Sequence, residues 1–569
     1  MTIPELLLAI YAAACGLLLI VWRHAGRSLC RWIAVIGGVL TLIAIAEGSH
    51  RLEVIPMIVV AVIIALIAFR RSRRQNPTAP PRRRILAVLL RCLAALILLL
   101  IVVLDAAFIA IFDPISNAPI VEIFGGLETQ DFSGDTWTDA FEKLNDHLSR
   151  AYALGEWKRI DWKALHDVTA PEIIDAERTQ DTAAYYLALR KYLWSLHDGH
   201  VNLTGHDGGT RHAAILGGYG LFLIRLADGR TIAHVLTEGP AARQGIEWGA
   251  TIIEWNGVPV DEAVARTSVL WYWAPPATNE SMRLAQLRLL GRAPVGTNAT
   301  VVFQNPDEPA KRTATLVSVD DAHETWRLAG PPQSFSLTDI NIEWRMLPEN
   351  IGYVKIRGEI PTLSQLLPDK VVKRAVAEFV GAGAKGVVID VRGNPGGADK
   401  LVPRMMGFFV DAREFYIHTT YYDEMTLGFA RHEALSLWTN PREPHFAGPI
   451  AVLVDEWCAS SCEGLAFIAQ KRAAGHVVGF HGTYGSFGIS GAEVLMPGGI
   501  TIEYPGGQSV DEDGKVLLDS DWRLEGGVTP DIRVPLTTDS VRAQFKDGRD
   551  VVLEAAVRAL IAPSPVQAP

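Results

Sequence analysis

Ser460 stands in the run Cys458-Ala459-Ser460-Ser461-Cys462-Glu463, directly after the apolar stretch 449–454 and before the helical stretch 464–472. A serine where a strand turns sharply into a helix is exposed on a tight bend. The helix N-terminus beside it offers unpaired backbone amides and a positive dipole end, both favourable to a developing oxyanion. A serine at a helix N-cap is ordinary by itself. A second run adds weight: Asp390-Val391-Arg392-Gly393-Asn394-Pro395-Gly396-Gly397 follows the β-branched stretch 386–391, and its glycines let the backbone approach another group closely. The Ser461 amide with that of Gly396 or Gly397 makes a two-donor oxyanion hole, in which one donor is worth about 100–1,000-fold in rate. The chemistry is nucleophilic attack by a hydroxyl. Cys458 and Cys462 flank the serine at i and i+4, half a metal site that no second pair or histidine cluster completes, so no metal is expected. A disulfide and a pair of buried thiols both remain open for them.

The elements that must carry these residues belong to a chain of 569 residues, too long for one core and sized for three or four domains. With 49% hydrophobic residues, disorder of the whole chain is excluded, and five cysteines are too few for a disulfide scaffold. The net charge of −10 divides unevenly: residues 1–112 hold twelve arginines against four acids, a balance of +8, which leaves −18 for the rest. The basic part is also the apolar part. Runs 6–22, 32–46, 52–69 and 85–112 read as a four-span membrane anchor, α-helical, with the first three short against the ~20 residues that span a bilayer. Arg23, Arg27 and Arg31 in the first connector and seven arginines between 70 and 84 put connectors one and three in the cytoplasm, so both ends of the chain lie outside it. The arginines lie between apolar runs rather than on a folded basic face, which excludes nucleic-acid binding.

Residues 113–130 read as a linker. Residues 131–210 form a helical segment, with Leu144, Leu148 and Tyr152, then Tyr185, Leu187, Leu189, Tyr192 and Leu193, at helical spacing. Residues 211–320 switch to short β-like runs. Residues 330–540 alternate strands and helices, an α/β core, and 541–569 add a short helix and a Pro-rich tail. Between the β-like runs, residues 238–250 lead from a short helix through a glycine turn and a strand to Asn256-Gly257, which resembles the bacterial PDZ pattern. In that resemblance Gly218, Tyr219, Gly220 and Leu221 are the loop that holds a peptide C-terminus while the peptide adds to the sheet edge.

The Gly-rich run 390–397, the Ala459-Ser460-Ser461-Cys462-Glu463 elbow and the late Glu525-Gly526-Gly527-Val528-Thr529-Pro530-Asp531-Ile532 resemble the C-terminal processing (tail-specific) serine peptidases, whose core is an α/β, crotonase-like domain. The resemblance covers nearly everything after about residue 131. One departure matters. Members with a Ser–Lys dyad carry lysine in a downstream F-G-K-G turn; here that stretch has Ser486 near the lysine position, and Lys471 lies on the helix after the nucleophile, the wrong place. A second branch, tricorn-core and retinoid-binding-protein-like, uses histidine and glutamate, with its histidine in an L-x-D-G-H run. This chain has Leu196-His197-Asp198-Gly199-His200. The resemblance therefore implies His200 as general base, suited by an unperturbed pKa near 6.5, and Glu525 as its orienting acid, with Asp519 and Asp531 as alternatives. His197, His481 and Ser486 are expected to stay out of the chemistry. The whole reads as a multi-pass, membrane-anchored serine endopeptidase facing the periplasmic side, cleaving polypeptides through an acyl-enzyme without a cofactor. The alternative is an inactive ligand- or peptide-binding sensor on the same fold.

Overall fold

The computed structural model describes residues 129–562, except 208, 329–335, 337 and 424–427 and the side chains of 430–435. The four-span anchor, nearly all of the linker and the Pro-rich tail lie outside the described residues. Among the described residues no helix is long and apolar enough to cross a membrane.

After a short opening strand, Thr129–Asp131, come three helices: α1 (Trp137–Ala151), α2 (Trp162–Thr179) and α3 (Thr182–Trp194). Each starts on an oxygen-bearing cap, Thr136, Asp161 and Asp181, which accepts from amides two or three residues on. In α1, Ala140, Phe141, Leu144, Leu148 and Ala151 are buried, the spacing of one helical face. The sequence singles out α1 and α3. It passes over α2, whose buried face is only Thr169, Ala170, Ile173 and Ala176, with Pro171 inside the helix. The three helices do not close on themselves. Their core runs on into Val494, Met496, Ile500 and Ile502 of a distant hairpin. The strand Asn202–Thr204, just past His200, pairs with that hairpin's second strand, Ile500–Tyr504. The segment expected as 131–210 thus shares one core with the end of the α/β part, which fixes the approach of His200 to the core.

Between them lies an antiparallel sheet of β1 (Leu221–Arg225), β2 (Thr231–Val235), β3 (Thr251–Trp255), β4 (Asn298–Gln304) and β5 (Arg312–Val317), in the order β5-β4-β3-β2-β1. The helix α4 (Asn279–Leu290) packs beside β1, the edge strand. The short helix Pro240–Arg243, the Gly245 turn, β3 and the Asn256-Gly257 turn follow in the expected order.

The α/β core is a sheet in the order β6 (Ile342–Leu347), β7 (Ile351–Ile356), β8 (Gly386–Asp390), β9 (Ile450–Leu453), β10 (Gly475–Gly479) and β11 (Ile532–Arg533). Only β6 runs antiparallel to its neighbour. Helix α5 (Pro368–Gly381) connects β7 to β8, and α6 (Ser461–Lys471) connects β9 to β10. Because β8 and β9 are adjacent and parallel, the loops leaving their C-terminal ends emerge together, the usual ligand edge of such a sheet. One loop is the Gly-rich run and the other is the Ser460 elbow. Two helices end the described chain, α7 (Thr538–Phe545) and α8 (Val551–Ile561), where the sequence suggests one. Phe545 of α7 packs edge-on to Phe222 of β1 and ties the antiparallel sheet to the core.

Gly464, on the first turn of α6, sets the seating of the nucleophile helix. A Cβ there would lie 1.8 Å from the Tyr416 hydroxyl and 2.7 Å from the ring carbon bearing it. Gly464→Ala is expected to destabilise by about 1–3 kcal/mol, read as a lower urea midpoint at unchanged slope. Adding Tyr416→Phe, which removes the clashing oxygen, should recover part of the loss.

Candidate active site

The elbow is built by hydrogen bonds from three sides. The Asp455 carboxylate accepts from the amides of Gly393 at 2.9 Å and Trp457 at 3.0 Å, pinning the Gly-rich run to the chain leaving β9. The Ala459 amide donates to the Asn394 carbonyl at 3.3 Å, and the Ser460 amide to the Ser486 carbonyl at 2.8 Å. Ser460 itself has φ 57° and ψ −133°, a region that costs a non-glycine residue on the order of 1–3 kcal/mol and persists only where the surroundings impose it. Gly396 lies against it: a Cβ on Gly396 would fall 2.6 Å from the Ser460 Cβ and 3.1 Å from the Ser461 nitrogen. Cys458 and Cys462 are joined by a disulfide that closes over the turn, which settles the question the sequence left open.

Ser461 is the first residue of α6, so its amide has no partner within the helix. Among the described residues neither the Ser461 nor the Gly397 amide has an acceptor. Gly396 corrects the expectation that either glycine would serve as donor. Its amide is already given to the Asn394 side chain at 2.8 Å, and its part is the close approach to Ser460.

His200 sits at the end of the turn after α3. Asp198 is fully buried, accepts from the Tyr152 hydroxyl at 2.7 Å and the His200 amide at 2.9 Å, and lies 4.0 Å from His200 Nδ1. Gly199 is the position where only glycine fits, since a Cβ would meet the Tyr484 ring at 2.5 Å. Its amide donates to Ser486 Oγ at 2.8 Å. Ser486, expected to be a bystander, therefore joins the two halves: its hydroxyl holds the residue before His200 and its carbonyl holds the Ser460 amide. Ser460 Oγ and His200 are not hydrogen-bonded to each other, and His200 Nδ1 is buried without a partner. Burial, then the Lys158 charge, lowers the His200 pKa below its ordinary value, and the Asp198 charge opposes them.

Glu525 is not brought to this place. Its side chain is 65% exposed and paired with Arg523 at 3.2 Å. Asp531 is also excluded, since its two oxygens hold Gln470 and the Val477 amide. Asp519 is buried; one oxygen accepts from the Phe487 amide at 2.7 Å, the other has no partner, and burial together with Asp198 pushes its pKa up. The carboxylate facing His200 is thus Asp198, with Asp519 behind it. Lys471 lies at the far end of α6 over the Phe467 ring. His481 is bound to Glu280 at 2.9 Å. In the 218–221 loop, Gly218 is paired with Arg292 and Val319, and the Tyr219 amide is given to the Gly291 carbonyl at 3.3 Å, so its first amides are spent. Among the described residues no three His, Cys, Asp or Glu side chains gather as metal ligands.

The family model described as Peptidase family S41 matches residues 350–534, the stretch that holds the Gly-rich run, the elbow and Asp519. Residues 350–534 are a peptidase family S41 domain. The chain is also similar to the carboxy-terminal processing protease CtpA of Bacillus subtilis (strain 168), 24% identical over 193 residues. That match spans 34% of this chain and only 36% of the relative. Among solved structures, mature CPAF complexed with lactacystin superposes with a TM-score of 0.53 at 16% identity, covering 75% of this chain and 98% of that one. Mature CPAF alone gives 0.53 and 16%, covering 76% and 98%. These last two establish a likeness of fold. The superfamily resemblance carried by the sequence motifs thus rests on an independent match.

His200 lies outside the matched stretch, which contains Ser460, Ser461 and Gly397. Lys158 and Glu463 escaped the sequence reading. Lys158 is buried and donates to the His197 carbonyl, the Ser520 carbonyl and Ser520 Oγ at 2.8–3.1 Å; burial lowers its pKa. Nothing in its spacing signals this. Glu463 is fully buried and accepts from Thr483 Oγ1 and the amides of Gly485, Ser486 and Ser460, and burial pushes its pKa up to about 8 against these four donors. Its place three residues after Ser460 is capping-box spacing, which was a usable signal. Trp273, 39% exposed, leans on Trp457 and Tyr484 at 5.5 Å each, in a packed aromatic cluster beside the elbow.

Since His200 is neutral above its lowered pKa, the rate at which Ser460 reacts with a fluorophosphonate should be flat at pH 7 and above and fall only below about 6.5. Asp198→Asn removes the charge that raises the His200 pKa. Its normalised rate–pH profile should move to still lower pH, and its plateau should drop.

Proposed function

We propose that this chain is a membrane-anchored, extracytoplasmic serine endopeptidase. Ser460 Oγ attacks the scissile carbonyl carbon, and His200 takes its proton and returns it to the leaving amine. The Ser461 and Gly397 amides hold the oxyanion, and water then releases the acyl group from Ser460. Asp198 takes the orienting part first assigned to Glu525. The observation that carries the reading is the Ser486 bridge, which ties a strained serine and an L-x-D-G-H histidine into one frame. A loose Ser460–His200 pair is common before substrate binds.

The segment 211–320 is read as a PDZ-like domain. Its edge strand β1 and α4 line a cleft of about 390 Å³ that reaches Trp457 and Glu456 beside the elbow, room for an extended peptide paired with β1. The Gly220 amide, which has no acceptor among the described residues, is the remaining donor for a peptide carboxylate. The disulfide at the elbow supports an oxidising compartment, in agreement with the arginine-rich connectors. The unpartnered His200 Nδ1 favours a second reading, a binding or sensor protein that has lost turnover.

A fluorophosphonate probe separates the two. It should label the wild type and not Ser460→Ala, and His200→Ala should slow labelling by at least ~1,000-fold. An unlabelled wild type supports the sensor. For topology, alkaline phosphatase fused after residue 562 and expressed in a bacterium should be active, because it folds only after export; an inactive fusion would place the peptidase in the cytoplasm.

A further inference from the structure

The Gly-rich run and the nucleophile helix must be held in register for two amides from separate loops to point at one oxygen. Below them lies Glu359, on the chain leaving β7. It is 0% exposed, as are Asn394 and Ser461, its two side-chain partners. One carboxyl oxygen accepts from Ser461 Oγ at 2.9 Å and the other from Asn394 Nδ2 at 2.9 Å. Its main chain continues the same clasp. The Glu359 amide donates to the Gly396 carbonyl at 3.2 Å, and its carbonyl accepts from the Ala398 amide at 2.8 Å, so Glu359 and Gly397 form an isolated parallel bridge. Asn394, held by Glu359, in turn accepts the Gly396 amide on its side chain and the Ala459 amide on its carbonyl. Gly397 fits only as glycine, since a Cβ would sit 2.5 Å from the Glu359 carbonyl oxygen.

We propose that Glu359 is the positioning residue of the oxyanion hole: its side chain clamps Ser461 on α6 to Asn394 in the Gly-rich run, and its main chain fixes Gly397, so that both free amides are set by one buried residue. This rests on the reading of Ser460 as nucleophile and deepens it. Glu359 touches neither substrate nor Ser460. It acts through the two donors, which are worth little unless held in place before the charge develops. A shift of about 1 Å in such a donor is enough to cost on the order of 100-fold in rate. Among the described residues no cation bonds to Glu359, and burial raises its pKa. A neutral amide can therefore replace the carboxyl, accepting from Asn394 Nδ2 and donating to Ser461 Oγ.

The test is the concentration dependence of fluorophosphonate labelling on the full-length chain, which separates the maximal inactivation rate from the half-saturating probe concentration, with thermal midpoints taken alongside. Glu359→Ala should lower the maximal rate about 100-fold with half-saturation within threefold, and Glu359→Gln should restore it to within about tenfold of wild type. If Glu359→Ala fails to fold, Ser461→Ala decides: it keeps the amide, loses the clamp, and should slow labelling about tenfold. A folded Glu359→Ala that labels at the wild-type rate, a Glu359→Gln no faster than Glu359→Ala, or a Ser461→Ala at the wild-type rate overturns the proposal. A wild type that does not label is a different failure: it removes the nucleophile reading itself and this inference with it.

Discussion

The backbone of Ser460, at φ 57° and ψ −133°, is the constraint on which the rest of the site depends. An L-residue does not stay there unaided. It is held by the Ser486 carbonyl, the Glu463 carboxyl, the disulfide spanning the turn and the side-chain-free surface of Gly396. The disulfide and Glu463 belong to the elbow itself, while Gly396 and the Ser486 carbonyl come from elsewhere in the chain. The strain therefore requires the parallel pairing of β8 with β9, the seating of α6 over Gly464 and the return of the 482–487 loop, all at once. The strain sets the Ser460 hydroxyl, on a partly buried residue, beside a helix-terminal amide that has no acceptor among the described residues.

Burial does the electrostatic tuning. Asp198, Asp519, Glu463 and Glu359 lie out of water and His200 is mostly covered, and the shifts that are resolved follow the same rule: the charged form is disfavoured where no strong partner offsets desolvation. A histidine kept neutral suits a general base near pH 7. Lys158 neutralises part of the acidic cluster behind it without reaching the cleft, since its ammonium is spent on two carbonyls and Ser520. Asp390, by contrast, is held well below the usual carboxylate range by Arg392 and Lys355, and anchors the base of the Gly-rich run through charge rather than through neutrality.

Much of this was legible in the residues. The elbow, the Gly-rich run and the L-x-D-G-H turn are local: each needs particular residue types at fixed spacing, and α1, α3, β8 and β9 follow from apolar periodicity. What could not be read is whatever depends on long-range packing. Glu525 matched by motif position, but its side chain is exposed and paired with Arg523, which the spacing does not reveal. Asp198 was in view as part of the histidine motif, yet its closeness to Nδ1 depends on the turn after α3. Ser486 looked like a lost lysine, because its two hydrogen bonds reach residues far away in the sequence. Glu359 carries no motif, and only the fold brings it against Ser461 and Gly397.

Residues 1–112 carry a balance of +8 and the remainder −18, and a disulfide spans the turn at Ser460. The central claim is covalent: a carbonyl carbon becomes bonded to Ser460. The most direct measurement is acid-quenched mass spectrometry after brief reaction with a peptide active ester. The account predicts one added acyl group, located on the proteolytic fragment containing Ser460 and absent in Ser460→Ala. Ester turnover with no adduct, or an adduct on another residue, would contradict it.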